Sequence, residues 1–172
     1  MTSSALLFAL LFPVRGAVAQ VPLTGGFGVA PVPVRERLGG SFGLGAGLGA
    51  PTGISGKLWL GSNNALQFSA GGRWGAFKDL SASVDFIVHF RPINVEGDEF
   101  SLPLYAGAGV QTDVDFSLPG SQLLLGPRAV LGGTVLVPTL PVDVYLEVAP
   151  TLYLTQVVGW AMDGQIGARY YF

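Results

Sequence analysis

The 172-residue chain has no cysteine and a single histidine, His89. The first absence excludes a disulfide framework and any Cys-ligated zinc or iron–sulfur site, and the second excludes a multi-histidine metal centre. Charge is scarce too: Asp, Glu, Lys and Arg make up 12% of the residues, about half of what a soluble domain carries. The nine Lys and Arg residues are scattered and the net charge is −2, so the basic footprint of a nucleic-acid-binding protein is missing. A membrane helix would need about 18–20 consecutive apolar residues. Every hydrophobic stretch here is broken sooner by Gly, Pro, Ser or a charge. What the chain has in quantity is apolar side chains, 49% of all residues, and 26 glycines. Lipid admits only helices and closed barrels, because both satisfy their own backbone polar groups. With the helix gone, this composition points to an all-β fold closed on itself.

Three segments follow from local composition. Ala5 to Phe12 is a short apolar run, followed by Pro13 and by Ala17-Val18-Ala19, the small-x-small pattern that a signal peptidase cuts, here before Gln20. Residues 1–19 are therefore expected to be a signal peptide, although the leading MTSSA lacks the usual Lys or Arg. Residues 20–38 contain Pro22, Pro31 and Pro33 with Gly25 and Gly26, which suits neither a helix interior nor a central strand. They read as a periplasmic lead-in. Residues 39–172 remain for the barrel, and eight strands would take about 17 residues each with their connections, enough for spans of about 9–11.

Strands are read from period-two alternation. Between Leu80 and Arg91, the even positions are Leu80, Ala82, Val84, Phe86, Val88 and Phe90, and the odd ones Ser81, Ser83, Asp85, Ile87, His89 and Arg91. Val142 to Leu154 repeats the pattern, with Asp143, Tyr145, Glu147, Thr151 and Tyr153 on the polar side. Ala65 to Trp74 does the same, and Ser41 to Ala50, Ile54 to Gly61, Leu102 to Thr112, Leu123 to Val137 and Trp160 to Phe172 complete eight segments. In Ser41 to Ala50, Gly43, Gly45, Gly47 and Gly49 share one face and would leave interior volume for long side chains from other strands. Gly126-Pro127 and Gly132-Gly133 predict bulges or an edge-like distortion in the sixth segment.

A soluble ligand-binding barrel turns its apolar face inward, and a membrane barrel turns it outward. With 20 acidic and basic residues in all, the chain cannot dress a soluble surface, so the polar face is assigned to the lumen. Trp59, Trp74, Phe90, Phe100, Trp160, Tyr170 and Phe172 fall near predicted strand ends and are expected in interfacial girdles. The last segment ends Gln165-Ile166-Gly167-Ala168-Arg169-Tyr170-Tyr171-Phe172. Gln165, Gly167, Tyr170 and Phe172 resemble the assembly signal of Gram-negative outer-membrane barrels. The whole of residues 39–172 is similar to the small eight-stranded barrels of the OmpA/OmpX-like group. The resemblance implies an up-and-down antiparallel transmembrane barrel in the cell outer membrane, inserted by the barrel-assembly machinery, with both ends periplasmic. Its surroundings would be outer-membrane lipid and lipopolysaccharide; the oligomeric state stays open.

Parity places Lys57, Arg73, Asp85, His89, Arg91, Arg128, Glu147, Asp163 and Arg169 in the lumen, where opposite charges should pair because isolated buried ions are expensive. Glu147 with Arg169 is the favoured pair. No catalytic set emerges. Outer-membrane lipid A deacylases place a Ser and a His on the lipid-facing side, whereas His89 has no Ser two residues on and faces inward by parity. Asp85 and His89 lie about 13 Å apart along one strand, too far for a dyad. LGAGLGA runs into Pro51 without the helix that a dinucleotide fingerprint requires. Glu96, Asp98 and Glu99 lack the ligand spacing of a calcium loop and read as a solvated turn. The expectation is a structural or interaction protein without catalytic residues, metal or cofactor, with exposed connections at 51–53, 75–79, 113–122 and 156–159. A narrow channel or hydrophobic-ligand conduit, and a soluble periplasmic binding barrel, are the alternatives.

Overall fold

Period-two alternation gives each segment one apolar and one polar face, and eight such segments can enclose the polar face only by closing into a barrel. The structure, a computed structural model, describes residues 39–73, 79–90, 93–94, 101–116, 121–136, 140–155 and 158–172. Its strands are β1 (Phe42–Gly49), β2 (Thr52–Trp59), β3 (Asn64–Gly72), β4 (Asp79–His89), β5 (Ile93–Asn94), β6 (Ser101–Leu102), β7 (Leu104–Asp115), β8 (Gln122–Leu136), β9 (Val142–Tyr153) and β10 (Gly159–Tyr171). The wall runs β1-β2-β3-β4-β7-β8-β9-β10, each pair antiparallel, and β10 pairs back onto β1 through Gly43–Tyr171 to Gly49–Gln165. This is a closed eight-stranded antiparallel meander. The two-residue strands β5 and β6 pair with each other, and Ser101 reaches Leu136 of β8.

Each of the eight segments expected from alternation holds one wall strand, with ends displaced by no more than about three residues; the short β5 and β6 carry no alternation signal. The expected signal peptide, the lead-in, Trp74, Arg91, the acidic turn at 96–99 and Phe100 lie outside the described residues. Among the described residues no helix is long and apolar enough to cross a membrane, which bears on helices alone.

One expectation for β8 is corrected. Its pairing with β7 keeps a constant register from Leu104–Gly133 to Asp115–Gln122, so neither glycine pair makes a bulge. The irregularity lies on the other side. Pairing of β8 with β9 is present at Arg128–Thr151, lapses at residues 129 and 130, and resumes at Leu131–Val148 in the same register.

Side chains sort by parity around the whole wall. Leu44, Leu48, Ile54, Leu80, Val84, Val110, Leu123, Leu131, Leu146, Trp160 and Ile166 are exposed, whereas Lys57, Gln67, Asp85, Gln111, Arg128, Asp143, Glu147, Asp163 and Arg169 are buried. The rim bearing Phe42 and Phe172 also carries the ends of β2, β4 and β8 and the starts of β3, β7 and β9. The opposite rim carries the ends of β1, β3, β7 and β9 and the starts of β2, β4, β8 and β10. The tightest connection, Ala50-Pro51, follows Gly49 at φ +136°, a conformation side chains avoid. The Thr52 hydroxyl accepts from Gly49 N at 3.0 Å and donates to Gly49 O at 2.8 Å, closing the turn.

Candidate functional site

Among the described residues the lumen is where polar and charged side chains gather, and its geometry follows from which residues stand opposite a glycine. In three places an interior glycine lies between two polar residues on the flanking strands, and the two meet above it. Gly109 of β7 pairs with Asp85 on one side and Arg128 on the other, and Arg128 Nε lies 3.1 Å from Asp85 Oδ1. Gly132 of β8 stands between Tyr105 and Glu147, and the Tyr105 hydroxyl donates to Glu147 Oε2 at 2.9 Å. Gly45 of β1 stands between Arg169 and Ser55, and Arg169 Nε donates to Ser55 Oγ at 3.0 Å. A Cβ on Gly109 would collide with Asp85 Oδ1, and one on Gly132 with the Tyr105 ring. Tyr145 likewise lies over Gly47 and Gly167.

At the rim near Phe42, Lys57 is wholly buried and donates to His89 Nε2 at 2.8 Å, with Asp143 Oδ2 at 3.8 Å. Its ammonium faces the Trp59 and Tyr105 rings, 4.6 and 5.2 Å from their centroids, an arrangement that stabilises a desolvated cation. His89 Nδ1 faces the Asn63 carbonyl at 3.3 Å, so Nδ1 carries the ring proton and Nε2 accepts. Asp143 also accepts from the Tyr171 hydroxyl at 2.7 Å and lies 3.7 Å from Arg169 Nη1. The Arg169 guanidinium lies 3.7 Å from the Tyr145 ring centroid.

In the middle, Gln67 Oε1 accepts from Arg169 Nη2 at 3.0 Å while its Nε2 donates to Glu147 Oε2 at 2.5 Å. Glu147 Oε1 lies 3.5 Å from Arg128 Nη2. Arg128 Nη1 donates to Gln111 Oε1 at 2.8 Å, and Gln111 Nε2 donates onward to Asp163 at 2.8 Å, Tyr153 at 3.0 Å and Asp113 at 3.1 Å. At the far rim Arg73 joins Asp113 at 3.0 Å and makes a short contact with Asp163, and the Tyr153 hydroxyl donates to Asp113 in another short bond. Gln165 closes the side of this network, accepting from the Tyr145 hydroxyl at 2.8 Å and donating to the Pro51 carbonyl at 2.5 Å.

Of the residues expected in the lumen, Lys57, Asp85, His89, Arg128, Glu147, Asp163 and Arg169 are buried there, and Arg73 sits half-buried at the rim. The favoured pair is not formed. Register sets Glu147 opposite Gln165 and Arg169 opposite Asp143, so Arg169 pairs with Asp143 and reaches Glu147 only through Gln67. Trp59, expected in a girdle, is 3% exposed and points inward; it lies two residues from Lys57 and shares its face. Of the other expected girdle residues, Phe90, Trp160, Tyr170 and Phe172 are exposed. Gln165 of the expected assembly signal is buried in the lumen. Parity already placed Asp143, Tyr145 and Tyr153 on a polar face, and the inward Gln111, Asp113 and Tyr171 carry the same signal in segments whose alternation is diluted by glycine.

Chemically this interior is a set of neutralised charges. Links through Arg169 and Arg128 make it a poor proton relay, since a guanidinium does not give up its proton. Among the described residues no cluster of His, Asp and Glu could hold a metal ion. No protein-family model, curated protein or solved structure matches the chain.

Proposed function

We propose that the chain is an integral β-barrel of the Gram-negative outer membrane with a structural and interaction role and a lumen filled by polar side chains. The observation that carries this reading is the inverted polarity of the wall: large apolar side chains are exposed on seven of the eight wall strands, those of β3, Leu66 and Phe68, are half-buried on the same outer side, and nearly every described charge is inside. Water would penalise that surface heavily, and lipid would not. Trp160 and Phe172, at opposite ends of β10, are both exposed; at ~3.4 Å per residue and a tilt of ~40° they lie about 30 Å apart along the axis. Two aromatic girdles around an apolar band of about 25 Å need that spacing. The resemblance at Gln165, Gly167, Tyr170 and Phe172 supports insertion by the barrel-assembly machinery, with the Phe42–Phe172 rim toward the periplasm. Lipid and lipopolysaccharide are then the wall's partners, and the connections of the opposite rim are offered outside the cell.

The test is fractionation followed by electrophoresis with and without boiling. Recovery in the outer membrane with a heat-dependent mobility shift is the expected result, together with no conductance in planar bilayers. Recovery in the soluble periplasm would overturn the reading in favour of a binding barrel, and steady conductance would overturn the filled lumen in favour of a channel.

A further inference from the structure

Around most of the wall the pairing registers run unbroken, but between β8 and β9 they do not, and the cause is two prolines. Leu154 N donates to Leu125 O at 3.0 Å, which fixes the parity of this seam. The residues whose backbone groups face each other across it are 125 with 154, 127 with 152, 129 with 150 and 131 with 148. Positions 127 and 150 are Pro127 and Pro150. Proline has no N–H, so the Leu152 carbonyl receives nothing from Pro127 and the Ala129 carbonyl nothing from Pro150. The lapse at residues 129 and 130 is the mark of this loss. Toward the rim, Leu125 N donates to the Thr155 hydroxyl at 2.7 Å in place of a backbone acceptor. Pro127 and Pro150 both face outward, so the two carbonyls lie in a wall that the reading above sets in lipid.

Two further features say what could meet them. Leu152 stands directly opposite Trp160 of β10, which is 76% exposed; tryptophan on such a wall marks headgroup depth. The carbonyls are therefore close to the boundary between headgroups and acyl chains on the side away from the Phe42–Phe172 rim. Across β8 from the seam, an apolar dent of about 120 Å3 opens on the outer wall between β4 and β7, lined by Ala82, Val84, Val110 and Thr112 with Leu125 of β8 at its edge. Two acceptors without strand donors thus lie on one side of β8 and an apolar hollow on the other, with Leu125 between them.

We propose that the β8–β9 seam is a lipid-docking line for a glycolipid that carries amide N–H and hydroxyl donors at the boundary of its acyl chains. The donors meet the Leu152 and Ala129 carbonyls and an acyl chain rests in the dent. In hydrocarbon an unanswered carbonyl costs free energy, and this lipid supplies the donors that proline withholds. The inference rests on the membrane reading and names a partner for it.

The experiment compares the full chain with the P127A/P150A variant in three vesicles: phosphatidylcholine alone, whose headgroup has no N–H or O–H donor, phosphatidylcholine with phosphatidylethanolamine, and phosphatidylcholine with lipopolysaccharide. The readouts are the urea midpoint of the heat-dependent mobility shift and amide exchange at Ala129 and Leu152. Lipopolysaccharide should slow exchange at both amides by about five- to tenfold, the population change that one net hydrogen bond supports, and should raise the midpoint. The variant, which makes its own two bonds, should be more stable in phosphatidylcholine alone and gain nothing from lipopolysaccharide. An equal gain in both proteins, an equal effect of phosphatidylethanolamine, or no effect on the natural chain's exchange overturns the docking line. A chain that gives no mobility shift in any vesicle fails the membrane reading instead, so the two failures are distinguishable.

Discussion

At the rim near Phe42 the interior cation is Lys57, fully buried, walled by Trp59, Tyr105 and His89 and held by Asp143; at the opposite rim it is Arg73, whose side chain keeps 26% of its exposure and lies between Asp113 and Asp163. The first end is dry. Everything Lys57 needs must come from protein, although unanswered polar atoms occur at both ends, Trp59 Nε1 and Asp143 Oδ1 here and, at the other, Ser81 Oγ opposite Asp113. The second end is open enough for water to share the work. Two carboxylates and the Tyr153 hydroxyl surround one guanidinium, and solvent screens the remainder. A charge can therefore be essential at one end of the same lumen and dispensable at the other.

That contrast can be broken most sharply at Asp143. Asp143→Ala removes the acceptor that serves Lys57, Arg169 and the Tyr171 hydroxyl, leaving two buried cations uncompensated. A loss of about 3–5 kcal/mol is expected, seen as a large fall in the urea midpoint of the mobility shift. The matching change at the open rim, Asp113→Ala, should cost about 1–2 kcal/mol, because Arg73 retains Asp163 and water; an equal loss at both ends would remove the distinction.

Between these two stands a steric test. Gly132→Val drives a side chain into the Tyr105 ring and parts it from Glu147. The expected cost is about 1–3 kcal/mol, with partial recovery in Gly132→Val/Tyr105→Ala if ring displacement is the cause. The smallest effect belongs to Arg73→Gln, worth about 1 kcal/mol or less at this exposure. It should shrink further as salt rises, while the Asp143→Ala effect should not. A salt-dependent Asp143 effect would mean that water reaches the Lys57 end.

The fold was legible because its signal is local. Leu80 to Arg91 and Val142 to Leu154 alternate without interruption, and β4 and β9 lie there. Parity also located the interior charges, since a side chain's face depends only on its neighbours along one strand. Partners were not legible in the same way. Whether Arg169 meets Glu147 or Asp143 depends on the β9–β10 register, which turn geometry sets and alternation does not report. Trp59 shows parity overruled by residue type: an aromatic near a strand end was read as a girdle, although its spacing from Lys57 turned it inward. Gly126-Pro127 signals a bulge or an edge-like distortion, and the structure has the second: Pro127 faces β9 with the group it lacks, and its effect needs the second proline, 23 positions on, to be seen.

The glycines beneath Asp85 and Arg128, beneath Tyr105 and Glu147, and beneath Arg169 and Ser55 also constrain how such a chain can change over generations. Each is the bed of a bond made by two other strands, but what a methyl group would meet differs: at Gly132 it is the Tyr105 ring, at Gly45 the Ala168 carbonyl, and at Gly109 the Val84 carbonyl as well as the Asp85 carboxylate of the salt bridge overhead. A side chain gained at Gly132 can therefore be answered by shortening Tyr105, whereas one gained at Gly45 or Gly109 requires the neighbouring strand itself to shift. The outer face can then change residue by residue, while the interior changes in sets, a glycine together with the side chains or the strand that lie across it.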